Sequence, residues 1–340
     1  MKTSTALEIT DATLIGEARR TAAALTQSLG FNDETRGRIA LIVTELATNL
    51  IKHAGTGEMV FRTLGEGGAA GFEILSLDRG PGIGNVAQSL ADGYSTAGTP
   101  GNGLGAVVRL SSTFDIYTQP GAGAAILSRI WDRPSPFVHP GAPLEIGVVC
   151  VPKPGEIECG DSWSSSQSPQ RCSFIVADGL GHGPVAAEAS REAVRVFDAL
   201  AEQFDPRRIL EAAHSALRST RGSVVAVAQI SPEDGTLHYV GVGNISSTLL
   251  SPEGSRSLVS HNGTVGQTMR RLNEFTYPWP RETLLVMASD GLQSHWTLDK
   301  YPGLAFRHPA LIAGVLYRDF NRRRDDITVL VARWKERASQ

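Results

Sequence analysis

The sequence has few of the residues that mark secreted or membrane-bound proteins. Only three cysteines, Cys150, Cys159 and Cys172, occur in 340 residues, which is too few for a disulfide framework, and their spacing is not that of a zinc site. No apolar run reaches the roughly 18 residues that a membrane-spanning helix needs. The N-terminal residues also lack the apolar core of a secretory signal. We therefore expect a cytoplasmic location, with the cysteines in the protein core.

A strong excess of charge of one sign is also absent. The chain has 32 Lys and Arg against 35 Asp and Glu, so its formal net charge is -3. Proteins that bind nucleic acid regardless of its sequence need many side chains that neutralise phosphates, usually in a basic stripe. Because no long basic stripe is present, we expect proteins and nucleotides as partners, and neither nucleic acid nor membranes.

The length of the chain predicts two domains, because 340 residues exceed what one hydrophobic core usually supports. Four prolines and a glycine interrupt all periodicity between Asp132 and Pro143. We therefore predict domains at 1–132 and 143–340, joined by a proline-rich linker at 133–142.

An amphipathic helix is predicted between residues 32 and 53. Its apolar residues recur at spacings of four, three and four, as one face of a helix requires. Asn32 or Asp33 would be the N-cap, and Gly55 would end the helix.

Three polar side chains share one face of this helix. Glu45, Asn49 and Lys52 stand at i, i+4 and i+7 and therefore project together beside the apolar stripe. Polar residues at this spacing on a surface helix are usually only solvated. The alternative is that this face meets a ligand.

Two glycine clusters follow the helix. A predicted strand at 71–77 leads into Asp78, Gly80 and Gly82, where glycine lets the backbone approach a base or a phosphate and an ionised Asp can accept from an exocyclic amine. A tight surface turn would have the same signature. The second cluster, at 98–105, opens a predicted helix whose N-terminus favours anions such as a triphosphate.

The order and spacing of these three segments closely resemble the GHKL-type ATPases, and more narrowly the small anti-sigma serine kinases of the RsbT and RsbW type. The similarity covers about residues 8–131 and implies an α/β sandwich that binds ATP and Mg²⁺. It also implies that Glu45 is the general base, that Asn49 holds Mg²⁺ and that Asp78 reads adenine. The ATP-binding set predicted in this way is Asn49, Lys52, Asp78, Gly80, Gly82, Gly101, Gly103 and Gly105.

Acidic residues at strand ends dominate the second half. Asp-Gly pairs are normally turn signals, and Asp234-Gly235 fits a hairpin between two strands. Asp178 and Asp290 differ, because each follows a continuous apolar run that predicts a buried strand. Asp325 directly precedes another predicted strand with Asp326, and Asp161 follows a fourth.

Clustered carboxylates repel one another unless a cation neutralises them, and ligand sets made only of oxygen suit Mg²⁺ or Mn²⁺ rather than Zn²⁺. Two such ions about 3.5–4 Å apart can activate water and clamp a phosphoryl group for in-line attack. The acidic residues therefore predict a metal-dependent phosphate hydrolase.

The pattern is similar to the PPM-type protein phosphatases, in the sporulation and stress-response branch that includes RsbX, over about residues 143–334. This resemblance implies a β-sandwich flanked by helices and two Mn²⁺ or Mg²⁺ ions. It implies that Asp178 bridges both ions, that the Gly179 carbonyl ligates one, and that Asp290 and Asp325 complete the set. Asp161 would lie nearby and act through water.

Some basic residues near these aspartates have two possible roles. His182 could act as an acid or orient water, although a loop histidine more commonly just faces solvent. The arginines at 322–324 could bind the substrate phosphate, although three successive arginines are more often a solvated turn.

The two resemblances together imply a mixed α/β protein that phosphorylates and dephosphorylates Ser/Thr of STAS-domain proteins in a bacterial stress or sigma-factor pathway. The catalytic residues would be Glu45 in the kinase and Asp178 and Asp290 in the phosphatase. One alternative is that the N-terminal domain only holds a sigma factor or another partner, with ATP gating the contact. A second is an active phosphatase with a purely regulatory ATP site.

Overall fold

The computed structural model describes residues 3–66, 69–90, 103–132, 142–269 and 272–335. The chain divides into two compact units, and both mix helices with sheets, which confirms the mixed α/β class. Unit 1 comprises Thr3–His139 with Leu298–Arg318, and unit 2 comprises Pro140–Thr297 with Asp319–Gln340. Within the described ranges, no helix has the length and apolarity needed to cross a membrane.

Unit 1 is built on one antiparallel sheet with the strand order β1-β2-β3-β5-β4. One face of the sheet alternates apolar side chains that pack under the helices, including Phe61, Phe72 and Ile74. The strands are β1 Thr5–Ile9, β2 Gly57–Glu66, β3 Ala69–Leu77, β4 Thr113–Thr118 and β5 Ala124–Trp131. The helices are α1 Leu14–Ser28, α2 Asp33–Asn49, α3 Val86–Leu90 and α4 Gly103–Leu110.

Unit 2 contains two larger sheets and a small β14-β15 hairpin. The sheet orders are β13-β10-β9-β8-β7, with β16 beside β10, and β12-β11-β17-β18-β6. Helices α5 Gly183–Leu200 and α6 Pro206–Ala216 pack on the first sheet through a second apolar cluster. The strands are β6 Leu144–Val151, β7 Asp161–Gln167, β8 Cys172–Gly179, β9 Ser223–Ser231, β10 Thr236–Val242, β11 Ser246–Ser251, β12 Gly254–Ser257, β13 Ser260–His261, β14 Gly263–Thr264, β15 Thr268–Met269, β16 Phe275–Pro278, β17 Leu284–Ala288 and β18 Ile327–Trp334.

The cysteines lie in this core, as expected. Cys150, Cys159 and Cys172 are all buried and free, and the sulfur atoms of Cys150 and Cys159 are 3.8 Å apart. Burial raises the pKa of the Cys172 thiol to about 12. A buried thiol with a raised pKa is an inert packing residue rather than a nucleophile.

The last helix, α7 Pro309–Phe320, departs from the predicted domain division. The sequence places it in the second domain, but residues 298–318 pack with unit 1. Its residues from Pro309 to Arg318 are all buried, and a helix that is apolar on most sides needs cover on more than one face. The predicted boundaries at 132 and 143 stay a prediction, because residues 133–141 lie outside the described part of the chain.

The second face of the unit 1 sheet buries charged residues. Arg62, Glu73 and Arg129 are direct cross-strand neighbours on β2, β3 and β5. Glu73 is 1% exposed and accepts from both arginines, at 2.8 Å from Arg62 Nε and 2.7 Å from Arg129 Nε. Burial alone would raise the pKa of Glu73, but the two arginines outweigh it and lower this pKa from its ordinary 4.5 to about 2.

We expect Glu73→Gln to lower the free energy of unfolding by about 3–5 kcal/mol, because it removes the buried carboxylate that both arginines share. Urea unfolding of the full-length protein at neutral pH measures this. The matched control is Glu192→Gln, whose pair with Arg195 is largely exposed and should contribute less than about 1 kcal/mol. Equal effects of the two substitutions would contradict the buried triad.

The same triad predicts a pH dependence. Because the pKa of Glu73 is lower in the folded protein, its stabilising effect is complete above the unfolded-state pKa near 4.5 and is lost as the pH falls toward about 2. The difference in unfolding free energy between the wild type and Glu73→Gln should therefore shrink across this window. A difference that stays constant from neutral pH down to the bottom of the window would contradict the assignment.

Candidate nucleotide and metal sites

Helix α2 forms as the sequence predicts. The Asn32 side chain caps it by accepting from the Thr35 backbone N–H at 2.8 Å. The apolar stripe of the helix is buried in the unit 1 core. After Asn49 the chain widens into a π-helical turn, Leu50–Ala54, and ends at Gly55 with φ of 79°.

The predicted polar face lies across this helix and its π-helical turn. Glu45 and Asn49 are half-buried on α2, and Lys52 is exposed in the π-helical turn. Helix α4, which includes Gly103 and Gly105, packs beside α2. Gly101, the remaining predicted member of this loop, lies outside the described residues.

Asp78 organises the first glycine loop. Its Oδ1 accepts from the backbone N–H of Gly80 at 2.8 Å and of Ala124 at 3.2 Å. Both bonds go to Oδ1, and Asp78 Oδ2 accepts no hydrogen bond from the described residues. One carboxylate oxygen therefore shapes the loop, and the other remains available for a donor such as an exocyclic amine.

The glycines in this loop are required by close contacts. A Cβ on Gly80 would lie 2.7 Å from the Ala54 side chain, in the π-helical turn of α2. Gly82 has φ of 76°, and a Cβ there would lie 2.5 Å from the Gln119 carbonyl. The Asp78 loop is thus packed against the end of the helix that carries Glu45 and Asn49, so the polar groups that would bind a nucleotide lie on adjoining elements.

In unit 2 the sheet register brings two aspartates together. Asp161 on β7 and Asp178 on β8 are direct cross-strand partners, an arrangement that is unfavourable for like charges. Asp161 is 2% exposed. Its Oδ2 accepts from the Ser289 hydroxyl at 2.6 Å, and its Oδ1 has no hydrogen-bond partner.

The burial and crowding of these carboxylates raise their pKa values. Burial, followed by the charges of Asp161 and Asp290, raises the pKa of Asp178 to about 9. Burial also raises the pKa of Asp161 to about 7, against the opposing hydrogen bond from Ser289. Carboxylates perturbed in this direction are short of positive charge.

Asp290 and Asp325 complete the predicted set. Asp290 follows β17 and accepts from the Asn244 side-chain amide at 2.8 Å. Asp325 is half-buried before β18, whereas Asp326 is buried and accepts from the Lys153 backbone N–H at 2.9 Å. Asp326 thus fastens the loop that follows β6, and Asp325 is the one of the pair that is open to solvent.

Gly179 is fixed by its surroundings. A Cβ at this position would lie 2.0 Å from the Ala186 carbonyl oxygen, so no side chain fits. The Gly179 N–H donates to the Gly160 carbonyl at 3.1 Å, and the Asp178 carbonyl accepts from the Ser223 hydroxyl at 2.7 Å. These contacts hold the turn that carries the predicted carbonyl ligand.

The donor set fits hard divalent cations. It offers carboxylate oxygens without a neutralising side chain, and one of them is buried without a partner. Among the described residues, no three His, Cys, Asp or Glu side chains are already arranged around one point as ligands of a single ion. The chain therefore supplies the oxygen atoms, and a cation would supply the attraction that draws them together.

A cavity of about 520 Å³ opens beside these carboxylates. Asp178, Asp290 and Asp325 line it, whereas Asp161, the buried cross-strand partner of Asp178, does not. Three basic side chains share the wall: Lys153, His182 and Arg324.

Of the three consecutive arginines considered from the sequence, only Arg324 reaches this cavity. Arg323 has a positive φ of 55° and turns the chain. His182 is 51% exposed, and its Nδ1 lies 2.6 Å from Glu156 Oε1. The Glu156 carboxylate therefore orients the imidazole ring on the wall of the cavity.

Ser289 stands beside Asp290-Gly291 in the sequence, but its hydrogen bond to Asp161 is visible only in the fold. The sequence did not single out Lys153, Asn244 or Glu156, each of which is a lone polar residue with no periodic or paired signal around it. Proximity to an Asp-Gly motif in the fold is what identifies them.

Known proteins are similar to each half of the chain. Residues 168–335 match the family described as Stage II sporulation protein E (SpoIIE), and residues 10–129 match the histidine kinase-like ATPase domain. Serine/threonine-protein kinase RsbT of Bacillus subtilis (strain 168) is 34% identical over 116 residues, which cover 34% of this chain and 87% of RsbT.

Two further similarities concern the second half. Phosphoserine phosphatase RsbX of Bacillus subtilis (strain 168) is 27% identical over 141 residues, which cover 41% of this chain and 70% of RsbX. The crystal structure of RsbX in complex with magnesium has 25% identity and a TM-score of 0.51, and the match covers 57% of this chain and 96% of that one.

The predicted resemblances are thereby confirmed. The chain belongs to the RsbT family of serine/threonine protein kinases through its N-terminal part, and this part is fused to a phosphatase domain of the SpoIIE type.

Proposed function

We propose that this protein adds phosphate to, and removes it from, Ser/Thr of a STAS-domain protein in a partner-switching pathway. The observation that carries the proposal is the presence in one chain of the Asp78 loop, packed on the helix of Glu45 and Asn49, and a cluster of uncompensated carboxylates around Asp178. The relatives RsbT and RsbX, a kinase and a phosphatase by name, support the same pair of activities.

In the kinase reaction, the chain mainly positions its substrates. Asp78 would accept from the adenine amine through its free oxygen, and Asn49 would supply an oxygen ligand for Mg²⁺. Glu45, one helical turn before Asn49, accepts the proton of the substrate hydroxyl. Phosphoryl transfer needs little more than such positioning and charge neutralisation.

In the phosphatase reaction, Asp178, the Gly179 carbonyl, Asp290 and Asp325 would hold two Mg²⁺ or Mn²⁺ ions, with Asp161 contributing through water. When bound, the ions activate water and neutralise the phosphate charge. Asn244 keeps the Asp290 carboxylate oriented through its 2.8 Å hydrogen bond.

Two cations are placed to bind the substrate phosphate. Lys153 and Arg324 line the cavity of the carboxylates, yet neither side chain forms an ion pair within the described residues. A cation that faces a metal site without pairing to its carboxylates remains available for an incoming anion, and guanidinium suits phosphate oxygens. His182, on the same wall, is placed to protonate the leaving hydroxyl.

Divalent ions should stabilise the wild-type protein, because they relieve carboxylate repulsion and bind only the folded state. Saturation at 100-fold above the dissociation constant would add about 2.7 kcal/mol. Asp178→Asn should lose most of this gain, whereas Asp234→Asn, in the exposed Asp-Gly turn between β9 and β10, should keep it. Thermal unfolding with and without Mn²⁺ measures the effect. A full Mn²⁺ shift in Asp178→Asn would exclude this residue as the bridging ligand.

Full-length protein carrying Asp178→Asn should accumulate labelled STAS partner when supplied with labelled ATP, Mg²⁺ and a co-encoded STAS-domain protein. Adding Glu45→Ala to the same chain should stop transfer but spare ATP binding, because Glu45 takes a proton and does not hold the nucleotide. The wild-type protein should remove the label when Mn²⁺ is supplied. ATP-dependent partner binding without any transfer by the Asp178→Asn protein would instead establish the ATP-gated binding module.

The double substitution Lys153→Met with Arg324→Met should raise KM for a phosphoserine peptide roughly tenfold or more, since each lost charged contact is worth about 1.5–3 kcal/mol. The metal ligands are retained, so the Mn²⁺-induced stabilisation should persist. Arg322→Met is the matched control, because this arginine is exposed and does not line the cavity. An unchanged KM in the double variant would remove these residues from the substrate site.

A further inference from the structure

We propose that Arg318 is a positioning residue of the nucleotide site, and that residues 298–318 complete the nucleotide-binding unit. This inference rests on the proposed kinase function, because it assigns Asp78 to the nucleotide. It departs from the family match, in which the same residues fall within the phosphatase segment 168–335. The arginine acts through the backbone of Asp78 and touches no substrate itself.

The contact is direct and buried. Arg318 lies in the last turns of α7 and is 5% exposed. Its Nη1 donates to the Asp78 carbonyl oxygen at 2.6 Å and approaches the Ala124 carbonyl oxygen at 3.4 Å. A buried hydrogen bond from a charged donor restrains a carbonyl group more strongly than a hydrogen bond from a neutral donor does.

The Asp78 and Ala124 backbones that Arg318 contacts are also joined to each other. The Asp78 N–H donates to the Ala124 carbonyl at 3.0 Å, and the Ala124 N–H donates back to Asp78 Oδ1 at 3.2 Å. Gly123 permits this arrangement, because a Cβ there would lie 2.0 Å from the Asp78 carbonyl oxygen. Arg318 therefore fixes the peptide from which the base-reading carboxylate projects.

The helix that delivers Arg318 is itself attached to the sheet of unit 1. The Tyr317 hydroxyl donates to Glu58 Oε1 at 2.7 Å, and the His308 N–H donates to Asp115 Oδ2 at 2.8 Å. Gly314 lets the helix approach β3, since a Cβ there would lie 3.2 Å from the Leu77 side chain. The helix that carries the guanidinium is thus attached to the sheet at several points.

A purely structural role for Arg318 makes a different prediction. If the side chain only fills the buried sheet face, its loss should lower stability without changing how the base is read. If it positions Asp78, its loss should weaken binding of ATP more than binding of inosine triphosphate, which lacks the exocyclic amine. Tyr317→Phe is the matched control, because it removes a buried hydrogen bond of the same helix that does not reach Asp78.

The experiment titrates full-length wild type, Arg318→Met, Arg318→Lys and Tyr317→Phe with ATP and with inosine triphosphate in Mg²⁺, using calorimetry, and records each unfolding midpoint without nucleotide. We expect Arg318→Met to lose roughly tenfold or more in ATP affinity and to lose most of the preference for ATP. Arg318→Lys should recover part of both, because an ammonium can still donate to one carbonyl. Tyr317→Phe should lower the midpoint and keep the preference.

Each outcome has one meaning. If Arg318→Met and Arg318→Lys keep the wild-type preference for ATP, the positioning role is overturned whatever their stability. If Tyr317→Phe loses the preference equally, the effect belongs to the helix as a whole and the assignment to Arg318 is overturned. If the wild type binds no ATP, the proposed kinase function fails first. Should Arg318→Met not fold, the lysine variant alone decides, because it retains the buried charge.

Discussion

The burial of carboxylates on a sheet is the constraint that both units must satisfy, and the two units satisfy it in opposite ways. In unit 1, Glu73 lies between Arg62 and Arg129, and the chain itself supplies the compensating charge, so the pKa of Glu73 falls to about 2. In unit 2, Asp161 faces Asp178 across a strand pair without such cations, and the pKa of Asp178 rises to about 9. A buried charge that the chain itself neutralises has a structural role, whereas a buried charge left uncompensated marks a candidate binding or catalytic site.

The uncompensated cluster is also supported by neutral donors. Ser289 donates to Asp161, Asn244 donates to Asp290, and the Lys153 backbone donates to Asp326. Such donors orient carboxylate oxygens without cancelling their charge. The ligand atoms are thereby held near their positions, while the attraction for a divalent ion is preserved.

Local signals in the sequence predicted most of the elements that carry the sites. Helix α2, its Asn32 cap, its end at Gly55 and the strands that deliver Asp78, Asp178 and Asp290 depend on periodicity and capping, which act over a few residues. The glycines in these turns also indicated the tight contacts at Gly82 and Gly179, because glycine is needed where no Cβ fits.

The residues that were missed depend on contacts across the chain. Lys153 and Asn244 are single polar residues whose partners lie 173 and 46 positions away. The sequence could not show which of the three arginines reaches the cavity. Arg324 does so after a left-handed turn at Arg323, and a non-glycine residue rarely adopts that conformation.

The placement of α7 was the least predictable feature, and it shows that sequence domains and folding units need not coincide. The segment leaves and rejoins unit 2 where Gln293 N–H donates to the Phe320 carbonyl and Arg322 N–H donates to the Gly291 carbonyl, both at 2.9 Å. A segment whose ends are joined in this way can pack elsewhere without disturbing the strands that bracket it. Without it, the sheet face that carries Glu58, Glu73 and Leu75 would lose its cover, so the segment before the linker is not by itself the whole of unit 1.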